Sequence, residues 1–272
     1  MIRTNLLNPT ESHKVVTQKG CFAVIEYEKD ISVSPKKAME AYYASRMNVR
    51  KKQLIAQLDG ENGVIAQRGA MQLLLGPIGI SNNIKGAGDL MKKFVGSKVT
   101  GETTFKPLFV GEGTMVFEPT FKHIILLDMN DWTDGLVVED GMFLACEDTV
   151  DLVVTARTNL SSAVLGGEGL FSTTMVGTGT VAVESNVPED EVIWVELEND
   201  ELRVDSSIAI AWSYGLEFTV EKSTKSLIGS FASGEGLVNV YRGTGKVLIA
   251  PVEKNRDISK PETAHGSEDK KC

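Results

Sequence analysis

A short glycine pattern returns three times along the chain at a nearly fixed spacing, and that recurrence narrows the architecture more than any single residue does. Gly101-Glu102 is followed by Gly111-Glu112-Gly113, Gly167-Glu168 by Gly177-Thr178-Gly179, and Gly234-Glu235 by Gly243-Thr244-Gly245. The Gly-Glu pairs start at 101, 167 and 234, so the intervals are 66 and 67 residues. In each copy an apolar run follows the second glycine pair: Met115-Val116-Phe117, Val181-Ala182-Val183 and Val247-Leu248-Ile249.

Around these glycines the apolar residues alternate or run for four to eight positions, with Thr, Val and Phe prominent, which is strand patterning. Gly-x-Gly then reads as a hairpin turn that needs positive φ. His123 to Asp128 and Glu191 to Glu196 predict further strands, Asp131 to Gly135 and Asn199-Asp200 predict turns, and each copy amounts to about six short strands. With 272 residues, 42% hydrophobic, the chain is long enough to bury a substantial core.

The pattern divides the chain into repeat one over 96–160, repeat two over 161–226 and the first half of a third repeat over 227–251. A charged, disordered tail is predicted at 252–272. Residues 1–33, with the strand Cys21 to Ile25, are expected to complete the third repeat and so remove exposed strand edges. Residues 34–95 hold a helical insertion and the strands leading into repeat one. Ser34 as N-cap, Pro35 at the first helical position and the Ala-, Met- and Lys-rich sequence after it predict a helix over Ser34 to Leu58. Val49, Leu54, Ile55 and Leu58 would be its apolar stripe, and Asp89 to Val95 a second, shorter helix. Lys36, Lys37, Arg46, Arg50, Lys51 and Lys52 make the insertion the most basic part of an acidic chain. Such a run is more often a solvated helix face that pairs with acidic residues elsewhere on the surface, and the partner reading makes it a surface for a protein or a membrane.

Val64-Ile65-Ala66-Gln67-Arg68-Gly69-Ala70-Met71, then Gly101-Glu102-Thr103-Thr104-Phe105, then two Gly-Glu-Gly-Leu copies give a pattern that resembles the TRAP-like family containing altered inheritance of mitochondria protein 24. The resemblance covers about residues 15 to 251. It implies an all-β fold of three tandem TRAP-like β-sandwich repeats, of the double-stranded β-helix type, here with a helical insertion, assembled as a homotrimer. It carries no catalytic residues over. The helix at 34–58 and Arg68 depart from the family pattern, so a binding surface near them would be covered or replaced.

Chemistry-bearing motifs are sparse. Glu102, Glu168 and Glu235 could line a shared site, but a carboxylate beside glycine more often accepts backbone N–H bonds in a turn. Gly243-Thr244-Gly245-Lys246 lacks the helix that a phosphate cradle opens, so no nucleotide site is expected. Asp128, Asn130, Asp131 and Asp134 lack the Gly at six and Glu at twelve of a calcium loop. His13, His123 and His265 are isolated, and no catalytic residue, cofactor or metal is assigned. Trp132, Trp194 and Trp212 are expected at a subunit interface. A formal charge of -9 makes nucleic acid a poor partner. Cys21, Cys146 and Cys272 lie far apart, the pattern of a reducing, cytoplasmic compartment. The reading that follows is a non-enzymatic homo-oligomeric β scaffold or binding module. A small-molecule binder or enzyme with a pocket at repeat or subunit junctions is the alternative, and RNA binding by fold analogy a weaker one.

Overall fold

The computed structural model describes residues 2–29, 33–81, 106–139, 141–156, 171–205, 208–222 and 237–251. Among them the chain is antiparallel β structure with one α-helix. The elements are β1 (His13–Lys19), β2 (Phe22–Tyr27), α1 (Ala38–Arg46), β3 (Lys52–Asp59), β4 (Val64–Ala66), β5 (Met71–Leu75), β6 (Ile78–Ser81), β7 (Leu108–Phe117), β8 (His123–Asp128), β9 (Leu136–Val138), β10 (Phe143–Glu147), β11 (Val150–Ala156), β12 (Phe171–Gly177), β13 (Thr180–Ser185), β14 (Ile193–Asp205), β15 (Ala209–Ser213), β16 (Glu217–Lys222) and β17 (Leu237–Ile249). A ten-stranded sheet runs β1-β2-β3-β7-β4-β10-β13-β8, with β5 and β6 also paired to β7. A seven-stranded sheet runs β11-β12-β9-β15-β17-β14, with β16 also on β17. The largest apolar cluster lies between them and takes Leu127, Phe143 and Val181 from the first sheet and Leu136, Met175 and Leu248 from the second. Strands buried on both faces read as unbroken apolar runs, as in β10 and β15, where alternation would have exposed one side.

The Gly-x-Gly segments are not hairpin turns. Gly111-Glu112-Gly113 lies inside β7, at the point where that strand changes partners. Leu108 to Gly111 pairs with β6, and Glu112 to Val116 pairs with β3. Gly243-Thr244-Gly245 lies inside β17, between the half paired to β16 and the half paired to β15. Gly177-Thr178-Gly179 separates β12, in the second sheet, from β13, in the first. The glycines are required by close approach at a bend: Gly113 has φ +152, and a β carbon there would run into the carbonyl oxygen of Leu75. The predicted turn at Asn199-Asp200 is likewise a shift of register inside β14, with Asn199 at φ +53. Gly101, Glu102, Gly167, Glu168, Gly234 and Glu235, the helix expected at 89–95 and the tail at 252–272 lie outside the described residues.

Further regularities accompany the three bends. The strand lying beside the apolar run carries a register shift at Met71/Leu73 in β5, at Phe143/Ala145 in β10 and at Ala209/Ala211 in β15. Two antiparallel junctions extend the sheets. β4 meets β10 with Ile65 opposite Cys146, and β9 meets β15 with Val137 opposite Trp212.

Two expectations are corrected by the pairing. The N-terminal strands do not complete a unit around β17, because β1 pairs with β2 and β2 with β3, in the other sheet. The helix predicted over Ser34 to Leu58 is confined to Ala38–Arg46 after a 3-10 turn at Pro35–Lys37, and Ser34 makes no side-chain cap bond. Leu54, Ile55 and Leu58 belong to β3 instead, where five consecutive buried residues mark a strand covered on both faces. Their spacing fits a helical face only when the buried Lys52 and Gln53 are ignored.

Candidate functional site

The β2–β3 connection is the most unusual surface of the described chain. Glu26 and Lys52 are paired across β2 and β3, so a short hairpin could join the strands, yet the chain makes a long excursion that carries α1. That helix buries no residue. Its small side chains Ala41, Ala44 and Ser45 are half-buried, and the Ser45 hydroxyl donates to the Glu28 carbonyl at 2.9 Å. The large ones point away: Met39 is 74% exposed, Met47 77%, and Tyr42 and Tyr43 more than half. Positions 39, 42, 43 and 47 follow the i, i+3, i+4, i+8 spacing of one helical face. The helix is therefore inverted, with its apolar stripe toward solvent.

The six basic residues of this region do not form one patch. Lys36 and Lys37 are exposed, and Arg46 lies over the Tyr42 ring at 5.1 Å. Lys51 lies 5.9 Å from the Phe121 ring. Arg50 is taken up by Glu26 at 2.9 Å and Glu28 at 3.3 Å. Lys52 is buried beside Glu26 at 3.4 Å, and desolvation lowers its pKa. Two of the six charges are thus spent inside the fold, anchoring the C-terminal end of the excursion to β2. Tyr27 donates to Gln53 at 2.6 Å, and Gln53 donates to the Phe117 carbonyl at 2.7 Å, which ties the same corner to β7.

A cleft of about 420 Å³ opens beside the β1–β2 turn, lined by Gly20, Cys21, Gln57, Asp59, Asn62 and Glu147 among others. Sequence reasoning missed Glu147, whose only signal was an acidic residue closing an apolar run. One oxygen of its carboxylate accepts the Cys21 N–H at 2.7 Å and the other the Thr180 N–H at 2.8 Å. Asp59 is equally occupied, accepting the N–H groups of Glu61 and Asn62, which lower its pKa. Burial, and then the charge of Glu147, push the Cys21 thiol up, so it stays protonated and is a poor nucleophile. The cleft holds polar groups already committed to the backbone.

Other sequence candidates also resolve into structure. Asp128 caps a 3-10 turn by accepting the Asn130 N–H at 2.9 Å. Trp132 and Trp212 are buried in the chain's own cores and are not at an interface, while Trp194 is 55% exposed. Among the described residues no group of three His, Cys, Asp or Glu side chains could hold a metal ion, and no helix is long and apolar enough to cross a membrane.

The fold has a solved counterpart. A crystal structure of protein SPYM3_0169 from Streptococcus pyogenes superposes with a TM-score of 0.54 at 23% identity, covering 75% of this chain and 89% of that one. In sequence the chain is 28% identical over 205 residues to the uncharacterized protein M6_Spy0233 of Streptococcus pyogenes serotype M6, covering 72% of this chain and 80% of that protein. Residues 43–252, from within α1 to just past β17, match the family described as mitochondrial biogenesis AIM24, and the chain belongs to that family.

Proposed function

We propose that the protein is a non-enzymatic β scaffold, built from three copies of one six-strand unit and assembled as a homotrimer, that presents α1 to a protein partner. The observation that carries the recognition reading is the inverted helix: the large apolar side chains Met39, Tyr42, Tyr43 and Met47 face solvent while the half-buried Ala41, Ala44 and Ser45 face the body. Anchors at i, i+3, i+4 and i+8 are what a hydrophobic groove on a partner reads. Basic residues at both ends, Lys36, Lys37 and Arg46, add preference for an acidic rim.

The three-unit reading rests on strand roles. β3, β8 and the first half of β14 play one role, as do β5, β10 and β15 with their shared bulge, and β7, β12–β13 and β17 with their shared bend. Side-chain chemistry supports it as well. Glu147 accepts the Thr180 N–H, and at the corresponding place Ser213 accepts the Lys246 N–H at 2.9 Å. The units then span β3–β7, β8–β13 and β14–β17, and β1 and β2 are an addition to the first.

A small-molecule or enzymatic reading has the cleft at Glu147, but no free acid, base or nucleophile in it supports chemistry. The test of the recognition reading replaces Ser34 to Asn48 with an Asn-Gly linker. The melting temperature is expected to change by no more than a few degrees, and proteins that co-purify with the full chain are expected to be lost, as they should be with Tyr43→Asp. Undiminished co-purification with both variants would refute α1 as the recognition element.

A further inference from the structure

We infer that the outer face of the first sheet, where β1, β2, β3, β7 and β5 lie side by side, is a peptide-binding groove. In this chain Leu6 and Leu7 plug it, and its ligand is a partner segment that carries two adjacent aliphatic side chains. Strand alternation divides this end of the sheet between two apolar faces. Phe22, Val24, Leu54 and Met115 point into a core of the body. Ala23, Ile25, Ile55 and Val116, their neighbours in sequence, point the other way and form a separate cluster. The pairing sets these side chains in one row across four strands: Ala23 opposite Ile55, Ile55 opposite Val116, and Val116 opposite Leu73. Ile25 lies beside the row, opposite Val15. An uncovered sheet face would be solvated, yet Ala23, Ile25, Ile55 and Val116 are no more than 3% exposed.

Leu6 and Leu7 supply the cover. Of the described side chains packed on the row, Val15, Tyr27 and Leu73 belong to the sheet itself, and Leu6 and Leu7 alone come from outside it. Both are half-buried, while the rest of 2–9 is exposed. The Asn8 N–H donates to the Asn5 carbonyl at 3.0 Å, so the two leucines occupy the central positions of a β-turn and are pressed onto the sheet together. Among the described residues the hydrogen bonds of 2–9 stay within that stretch, the other being from the Leu6 N–H to the Thr4 hydroxyl at 3.2 Å. Beneath it the ladder is closed without this segment, because β2 pairs with β1 and β3, and β3 with β2 and β7. Lifting 2–9 therefore breaks no bond of the sheet and costs only the burial of two leucines. The seated turn also defines the ligand. A partner that presents the same two side chains finds the same row of apolar contacts, and competes with Leu6 and Leu7 for it.

A fluorescein-labelled peptide of residues 2–9, Ile-Arg-Thr-Asn-Leu-Leu-Asn-Pro, serves as the probe, and the same peptide with Leu6→Asp and Leu7→Asp as its control. Two variants of the intact chain open the groove: Leu6→Asp with Leu7→Asp, and the milder Leu6→Ala with Leu7→Ala. Both are expected to keep a cooperative melting transition. By fluorescence polarisation the probe is expected to bind each variant about tenfold or more tightly than it binds the parent, where the tethered segment holds the groove at high effective concentration. The control peptide is expected to bind neither variant. Failure of the probe to bind the variants, or equal binding to parent and variants, would overturn the inference, as would equal binding of the control peptide. So would loss of cooperative melting in both variants, which would make Leu6 and Leu7 part of the core rather than a plug.

Discussion

Gly113 is the second glycine of one Gly-x-Gly bend and Gly243 the first glycine of another, and their unequal surroundings set what each can tolerate. A β carbon at Gly113 collides with the Leu75 carbonyl, which belongs to the paired strand and cannot swing away. At Gly243, with φ +120, the nearest atom is a Leu216 methyl at 3.7 Å, so only backbone strain opposes a side chain. Gly113→Ala is expected to cost about 3 kcal/mol or more, and Gly243→Ala about 1–2 kcal/mol, read by chemical denaturation. Equal losses at the two sites would show that contact with β5 is not what fixes Gly113. These glycines were legible in the sequence as a pattern, but not their role, because positive φ serves a hairpin and an in-strand bend equally well.

His123 gives the residue scale a pH signature. Desolvation lowers its pKa below 6.5, the charge of Lys52 adds to the effect, and Glu26 and Asp190 oppose it. The unfolded state therefore takes up a proton before the folded one does. Stability contributed by this site is full above about pH 6.5 and falls as the pH drops toward the lowered folded value. His123→Gln is expected to flatten the decline in melting temperature between pH 7 and pH 5. A slope unchanged from the parent would remove His123 from the pH response.

At the scale of elements, the strands flanked by turn residues were readable from sequence, as β8 and β10 show. The β2–β3 excursion was only half readable. Pro35 and the alanines announce a helix, and the structure has one, but its end depended on a competition that local sequence does not record. Lys52 to Leu58 has acceptable helix formers, and it becomes a strand because β2 on one side and β7 on the other bury it. Arg50 and Lys52 counted as surface charge for the same reason: Glu26, their partner, lies a whole excursion away in sequence. Glu26, Arg50 and Lys52 all lie outside Ser34 to Asn48, so removing the helix is expected to keep that ion cluster and with it the fold.

At the scale of the molecule the spacing of 66 and 67 residues was visible, but the start of each unit was not. Anchoring the period on glycine places the boundaries in the middle of the strand sets, so the last copy looked truncated and the N-terminal strands looked like its missing part. On the three-unit reading proposed above, units that start at β3, β8 and β14 are each complete, and β1 and β2 are a cover on the outer side of β3. The central claim is recognition through α1, and co-purification with the intact protein and with Tyr43→Asp, a change at an exposed position, tests it most directly. Proteins retained by the full chain are expected to be lost from Tyr43→Asp at an unchanged melting temperature. The same proteins retained equally by both would contradict the account.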